Sequence, residues 1–579
     1  MAARLTTYVV VAIVAATLIA GLIVGAQRDD SSGPVDLIIH NARVYPAERT
    51  GAMAEAVAVR GNQILRVGSE REIMRLRRPQ TTVVDAKGAA VLPGFNDAHV
   101  HFIEGGLALD QVNLLGAEGV EELQDRVTAW AGTHVERGWI VGRGWTYGQF
   151  GDSLPTRQQL DAATDDRPAV MFSADGRSAW LNTKALEAAK IARRTPNPKH
   201  GAIVREARTG LPTGLLKEGA VALIWKAAPA PTREDRARAL RAAIAVAHEH
   251  GVTSVQDAGG SADDLALFDE ARRANELTMR VYEAVAAPAK VSPALLERLE
   301  AISREYSDDP LLKSGAVTID VDGDVESQTA AMIDPYANRA SDGGVPRLQA
   351  VELNRFVQAM DAHGWQVMAN ATGDAAVRMA LDALEQAART RDRAAREGRH
   401  RIERAELVAP DDLARFGALG VIASLQPAHA LPHMPEIDLW GRLLGPERAA
   451  RGWAANSLAK ASGRLAFGSD WPSAPMDPML ALHAAVTRTT ADGLPDGGWF
   501  ADERLALKRA IDAFTSDAAW ASFDEHRKGV IAPGMLADLV VLSDDIFEGP
   551  PARLATTTVA ATIFDGKIVY QRAVNRGTN

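Results

Sequence analysis

Cysteine is absent from all 579 residues. Disulfides and thiolate metal sites are therefore excluded, and any metal must rest on imidazole, carboxylate or carbonyl groups. The lack of disulfides leaves the compartment open, because it suits any redox environment. Blocks of like charge are missing too. The 64 basic and 74 acidic residues are spread along the chain and leave a net charge of −10. Nucleic acid is not an expected partner, since phosphate binding needs a concentrated basic face. Long apolar runs are scarce: beyond residue 26 no segment is apolar enough to span a bilayer. What is present, 47% hydrophobic and 24% charged residues, is the balance of a folded protein able to bury a large core.

The exception is the N-terminus. Arg4 precedes an uncharged run over 5–26, dense in Val, Ile, Ala and Leu and followed by Gln27-Arg28-Asp29-Asp30. About 20 apolar residues cross a membrane as a helix. The leading positive charge keeps the N-terminus cytoplasmic and the rest outside, on the periplasmic or extracellular side. Residues 1–27 are expected as a membrane anchor. Val24-Gly25-Ala26 offers an alternative, a cleaved signal and a secreted protein. A linker follows over 28–34.

From 35 onwards the chain reads as strands at 35–40, 56–60, 63–67 and 82–84. The C-terminus returns to that style at 538–542, 559–564 and 567–570, with Asp565-Gly566 as a hairpin turn. Residues 35–92 and 526–579 are thus the expected halves of one β-sandwich. Between them helices and strands alternate: helix 233–250 then strand 252–256, helix 351–363 then strand 365–369, helix 410–419 then strand 421–425. Repeated αβ units imply a parallel sheet, closed or doubly wound. The Arg-rich stretch 387–404 reads as a solvated helix face and loop.

Two motifs carry chemistry. In Leu92-Pro-Gly-Phe-Asn-Asp-Ala-His99-Val-His101-Phe102, a strand ends in His-x-His, which puts both imidazoles on one face. So placed, they can share a divalent metal; alone, most such pairs are surface or core histidines, and it is the position at a strand end behind Pro-Gly that brings the metal reading level with that alternative. In Phe467-Gly-Ser-Asp470-Trp-Pro, an Asp at the end of a late barrel strand would point into the mouth, able to ligate a metal and take a proton from its water. Its bland alternative is a turn-capping Asp.

With Ser173-Ala-Asp-Gly-Arg-Ser-Ala-Trp180, Pro212–Glu218, Gly251–Ala258, Asp322-Gly323, Thr372-Gly-Asp374, Arg401-Ile-Glu403 and Ser424-Leu-Gln-Pro-Ala-His429, these motifs make the chain resemble the amidohydrolase superfamily, in its YtcJ-like (amidohydrolase-3) branch, from about 35 to 570. The resemblance implies a (β/α)₈ TIM barrel over 93–525, an insertion over about 105–218, and the flanking sandwich. It places His99 and His101 at the first two metal ligands, and Asp470 at the last ligand and proton acceptor. Three further ligand positions are substituted. Asn370 and Arg404 stand where the family has His, and Thr318 where a carboxylated lysine bridges two metals; Arg177 also replaces a His. A guanidinium about 4 Å from a unit positive charge costs roughly 4 kcal/mol at an effective dielectric near 20, and about twice that against a divalent ion. A two-metal centre is therefore not expected.

The resemblance leaves one divalent ion, zinc by ligand type, on His99, His101 and Asp470 with Asn370 or water completing the shell. The expected activity is hydrolysis of a non-peptide C–N bond in a small molecule. His429, Arg404, Arg177 and Glu218 are candidate substrate contacts, with structural roles as their alternatives. The opposing reading keeps the barrel and drops the chemistry: Arg404 pairs with Asp470, Arg177 adds a second cation, and the pocket binds a small anionic ligand or a membrane partner. Homo-oligomerisation is left open.

Overall fold

The computed structural model describes residues 34–47, 52–390, 397–430, 434–462 and 464–573. The expected membrane segment, 1–27, lies outside them. Among the described residues no helix is long and apolar enough to cross a membrane.

Eight parallel strands stand in sequence order in one sheet: β1 Phe95–Val100, β2 Val252–Gly260, β3 Arg280–Ala286, β4 Leu312–Asp320, β5 Gln366–Ala371, β6 Arg401–Arg404, β7 Ile422–Leu425 and β8 Leu465–Phe467. Nearly every position in them is buried, as expected of strands covered on both faces. Helices such as Arg233–Glu249, Ala350–Ala362 and Pro410–Leu419 pack apolar faces against the outside of the sheet, forming the largest core cluster. Local chemistry starts them where the sequence indicates. Thr232 and Asp235 form a capping box before Arg233, and Pro410 occupies the first turn of its helix.

The floor of the barrel is polar. Gln256, Gln366 and Lys313 donate to the carbonyls of Ala518, Ala521 and Ser522, so the helix Ser516–Ala521 and its end close that side. Above them Arg401, with no exposed surface, donates to the Ala98 carbonyl at 2.6 Å and to Ser424 at 2.8 Å. This corrects the expectation of a solvated stretch over 387–404. Its last four residues are an interior strand, because Gln256, Ser424 and Glu403 supply partners for a buried guanidinium.

Both ends of the chain contribute to the flanking sheets. One has four strands from 37–85; the other has five, joining Arg43–Val44 and Ala90–Pro93 to Leu539–Leu542, Val559–Phe564 and Lys567–Gln571. Leu37, Val57, Val91, Leu539 and Ile563 meet in the core between them. A further six-stranded sheet, built from 112–218, has its own core around Trp145, Trp180 and Leu215.

Candidate metal centre and cavity

The barrel closes where its chemistry sits. The Asp470 N–H donates to the His99 carbonyl at 2.8 Å, and the His101 N–H to the Trp471 carbonyl at 2.9 Å. These bonds join the end of β1 to the chain leaving β8. They also bring His99, His101 and Asp470 together, with one ligand atom from each within 4.8 Å of the others. Asp470 Oδ1 lies 3.5 Å from His99 Nε2 and 3.3 Å from His101 Nε2. Beneath them, Asp97 accepts from the N–H groups of His99 and Ser469 and from the Ser469 hydroxyl. Asp470 itself has φ +55°, a left-handed conformation that aspartate tolerates better than most residues.

Glu403 on β6 meets His99 Nδ1 at 2.7 Å. A proton held there leaves His99 Nε2 free to face Asp470, the arrangement by which outer carboxylates orient metal-binding imidazoles. Burial opposes ionisation of Glu403, but the Arg401 guanidinium and the His99 contact outweigh it and hold its carboxyl below the ordinary range. Burial also disfavours charge on His99; its bond to Glu403 and the nearby Asp470 prevail and raise it. For Asp470, burial is opposed by the hydrogen bond from His101 and by the fields of His99, Arg404 and His429, which keep it well below a normal carboxylate.

The substituted positions are placed as follows. Thr318 lies inside the barrel on β4, its hydroxyl, like His101, against Gly259. Asn370, on β5, donates to Asp320 at 3.1 Å, while its Oδ1 is buried with no hydrogen-bond partner. Arg404 does not pair with Asp470. Its guanidinium bonds to Glu406 at 3.0 Å and to Asp324 at 3.4 Å. Arg177 donates to the Asp322 carbonyl at 3.0 Å and pairs with Asp320 at 3.6 Å and Glu218 at 4.0 Å. Glu218 accepts from Thr329 at 2.6 Å and from Arg347, which also holds Asp320. His429 stands beside the centre, its Nε2 3.5 Å from Asp470 Oδ2 but without a hydrogen bond. The structure therefore gathers His99, His101, Asp470 and His429, and ties Arg177 and Glu218 into a separate ion network with Asp320 and Arg347.

Sequence reasoning missed the acids that absorb the arginines: Asp320, Asp324 and Glu406, as well as the orienting role of Glu403. One signal was available, since each of them lies within a few residues of a motif already singled out.

Over the mouth is a cavity of about 770 Å³. Trp145, Tyr147 and Asp175 line it from the six-stranded sheet and its loops, Arg404, His429 and Ser473 from the barrel. The donor set fits a single divalent ion: two imidazole nitrogens and a carboxylate held ionised, with no thiolate needed.

A parallel barrel bearing His-x-His and a late Asp at its strand ends defines a site of the metal-hydrolase class. Residues 82–570 match the model of the amidohydrolase family, and the chain belongs to that family. It is 31% identical over 547 residues to the putative amidohydrolase YtcJ of Bacillus subtilis (strain 168), covering 93% of this chain and 99% of that one. It is 27% identical over 554 residues to the N-substituted formamide deformylase of Arthrobacter pascens, covering 93% and 98%. Among solved structures, it resembles an uncharacterized metal-dependent hydrolase from Pyrococcus horikoshii OT3, with a TM-score of 0.67 and 26% identity over 87% of this chain and 96% of that one.

Proposed function

We propose that this protein hydrolyses a non-peptide C–N bond of a small molecule, using one divalent ion, zinc by ligand type, held by His99, His101 and Asp470. The observation that carries the reading is the convergence of those three side chains within 4.8 Å, while Arg404 is drawn off to Glu406 and Asp324. The similarity to a relative named as an N-substituted formamide deformylase supports a C–N bond as the target. A bound ion would polarise the substrate carbonyl and make its water acidic. Glu403 orients His99, and the ionised Asp470 is placed to receive a proton from the attacking water. His429 Nε2, unpartnered beside Asp470, faces the substrate. The aromatic cavity wall limits access of bulk water.

A second reading has its own support. Thr318, Asn370 and Arg404 supply none of the anionic or imidazole ligands that a second metal requires, and the arginines with their acids form a saturated network. In that reading the barrel binds a ligand without a metal. Metal analysis separates the two. About one equivalent of metal, lost from His99→Ala and Asp470→Ala proteins that remain folded, is the expected result. Protein that takes up no zinc, and whose thermal stability is indifferent to chelator, would sink the hydrolase reading.

A further inference from the structure

We infer that the cavity over the barrel mouth selects an amphipathic cation: a molecule with an apolar or aromatic body, a basic nitrogen and a carbonyl-type acceptor. This deepens the hydrolase reading and rests on it only in calling that ligand a substrate.

The first observation is charge. Asp175, Asp324, Glu326 and Glu406 line the cavity, and Arg404 is the one cationic side chain among its lining residues. Arg404 is already shared by Glu406 and Asp324. Of the neighbouring basic groups, Arg177 is paired with Asp320 and Glu218, Lys217 lies over the Tyr147 ring, and Arg143 keeps its charge while donating to the neutral Ala174 carbonyl at 3.0 Å, so those four acids still outnumber the cations Arg404, Arg143 and Lys217. A wall built this way repels an anion and attracts a cation, the reverse of what Arg404 and Arg177 taken alone imply.

The second observation is the aromatic part of the lining. Trp145, Trp440 and Trp453 contribute to it, with the Trp440 and Trp453 rings 4.3 Å apart between centroids, whereas the Tyr147 ring is already covered by the Lys217 ammonium at 4.8 Å. Aromatic faces offer both apolar contact and the negative quadrupole that binds organic cations.

The third observation is independent of both. Trp453 is only 5% exposed, and its indole N–H has no hydrogen-bond partner. Indole is a donor only, and a buried donor left unpaired is costly, so a ligand acceptor that reaches this group from the cavity gains a bond the protein leaves unmade. Its position is enforced. Trp453 has φ +48°, rare for a bulky residue. Its backbone N–H is held by the Glu406 carbonyl at 2.7 Å, and the Arg488 guanidinium grips the carbonyls of Gly452 and Trp453 at 3.3 Å each.

The test is direct binding to the full chain, by calorimetry, as purified and after chelator treatment. The probes share a phenyl ring: phenylalaninamide (cation), N-acetylphenylalaninamide (neutral) and N-acetylphenylalanine (anion). In chelator-treated protein the cation should bind about tenfold more tightly than the anion, with the neutral amide between. Added salt and Glu326→Gln should narrow that gap. Trp453→Phe, which keeps a ring and removes the N–H, should weaken both amides by about threefold or more. An anion that binds as tightly as the cation, or no binding of any probe, overturns the proposal; amide affinity unchanged in Trp453→Phe overturns the acceptor contact. The outcomes also part this inference from the hydrolase reading. Metal-free protein that ranks the probes as stated sinks the hydrolase and spares the cavity. Metal-bearing protein that hydrolyses amides yet prefers the anion does the opposite.

Discussion

Glu403 receives His99 Nδ1 at 2.7 Å, and the next residue, Arg404, turns to Glu406 and Asp324. The backbone makes the difference: β6 ends there, with Arg404 at φ +70° and Ala405 at φ +40°, so Arg404 leaves the strand before its head reaches Asp470. Glu403 stays inside, fully buried and paired with Arg401 at 2.7 Å. Its charge favours the His99 tautomer that faces Asp470. Outer partners of this kind are worth about 10–100-fold in metal affinity. Glu403→Gln, which preserves shape and removes charge, should weaken zinc binding by about that factor, as read by competition with a chromophoric chelator. Unchanged affinity would show that Glu403 serves only to neutralise Arg401.

The element that matters most is the seam between β1 and the turn after β8. It closes the barrel and delivers all three candidate ligands. Gly468 makes the approach possible: a Cβ added there would lie 2.4 Å from His99 N and 2.7 Å from His99 Cβ, and the first of these is backbone that cannot swing away. Gly468→Ala should therefore destabilise the protein by about 1–3 kcal/mol through overpacking, and should weaken metal binding because His99 and Asp470 are forced apart. Urea denaturation and metal titration read the two effects. Gly441→Ala is the control. It sits in the helix Met434–Leu444 with nothing within 4 Å of the added carbon, and alanine favours a helix. Equal loss in both proteins would show that the seam is not special.

At the scale of the molecule, one buried ion cluster fastens the barrel to the flanking sheets. Arg280 on β3 reaches Asp538 at 2.5 and 2.9 Å and Asp565 at 3.0 Å; Arg280 and Asp538 are each 4% exposed on their side chains. Burial disfavours the guanidinium charge, but the two carboxylates outweigh that and raise its proton affinity. Removing one partner of such a pair leaves a buried charge, at about 3–5 kcal/mol. Arg280→Leu should lose stability in that range, measured by chemical denaturation. A change below about 1 kcal/mol would mean that apolar packing alone holds the sheets to the barrel.

The alternation of helix and strand, the sandwich-like strands at both ends, and the positions of His99, His101 and Asp470 were legible in the sequence, because each depends on short-range periodicity or on a motif a few residues long. The fate of the arginines was not. Whether Arg404 blocked the centre or stood aside depended on Asp324 and Glu406, and Arg177 on Asp320 and Glu218; the charges of those acids are plain in the sequence but their distances are not. Arg401 looked like surface for the same reason. Covalent order determined the family, the strand ends and the donor types. Tertiary structure alone decided which buried charges neutralise one another, since that pairing is set by side chains remote in the chain meeting where water is excluded.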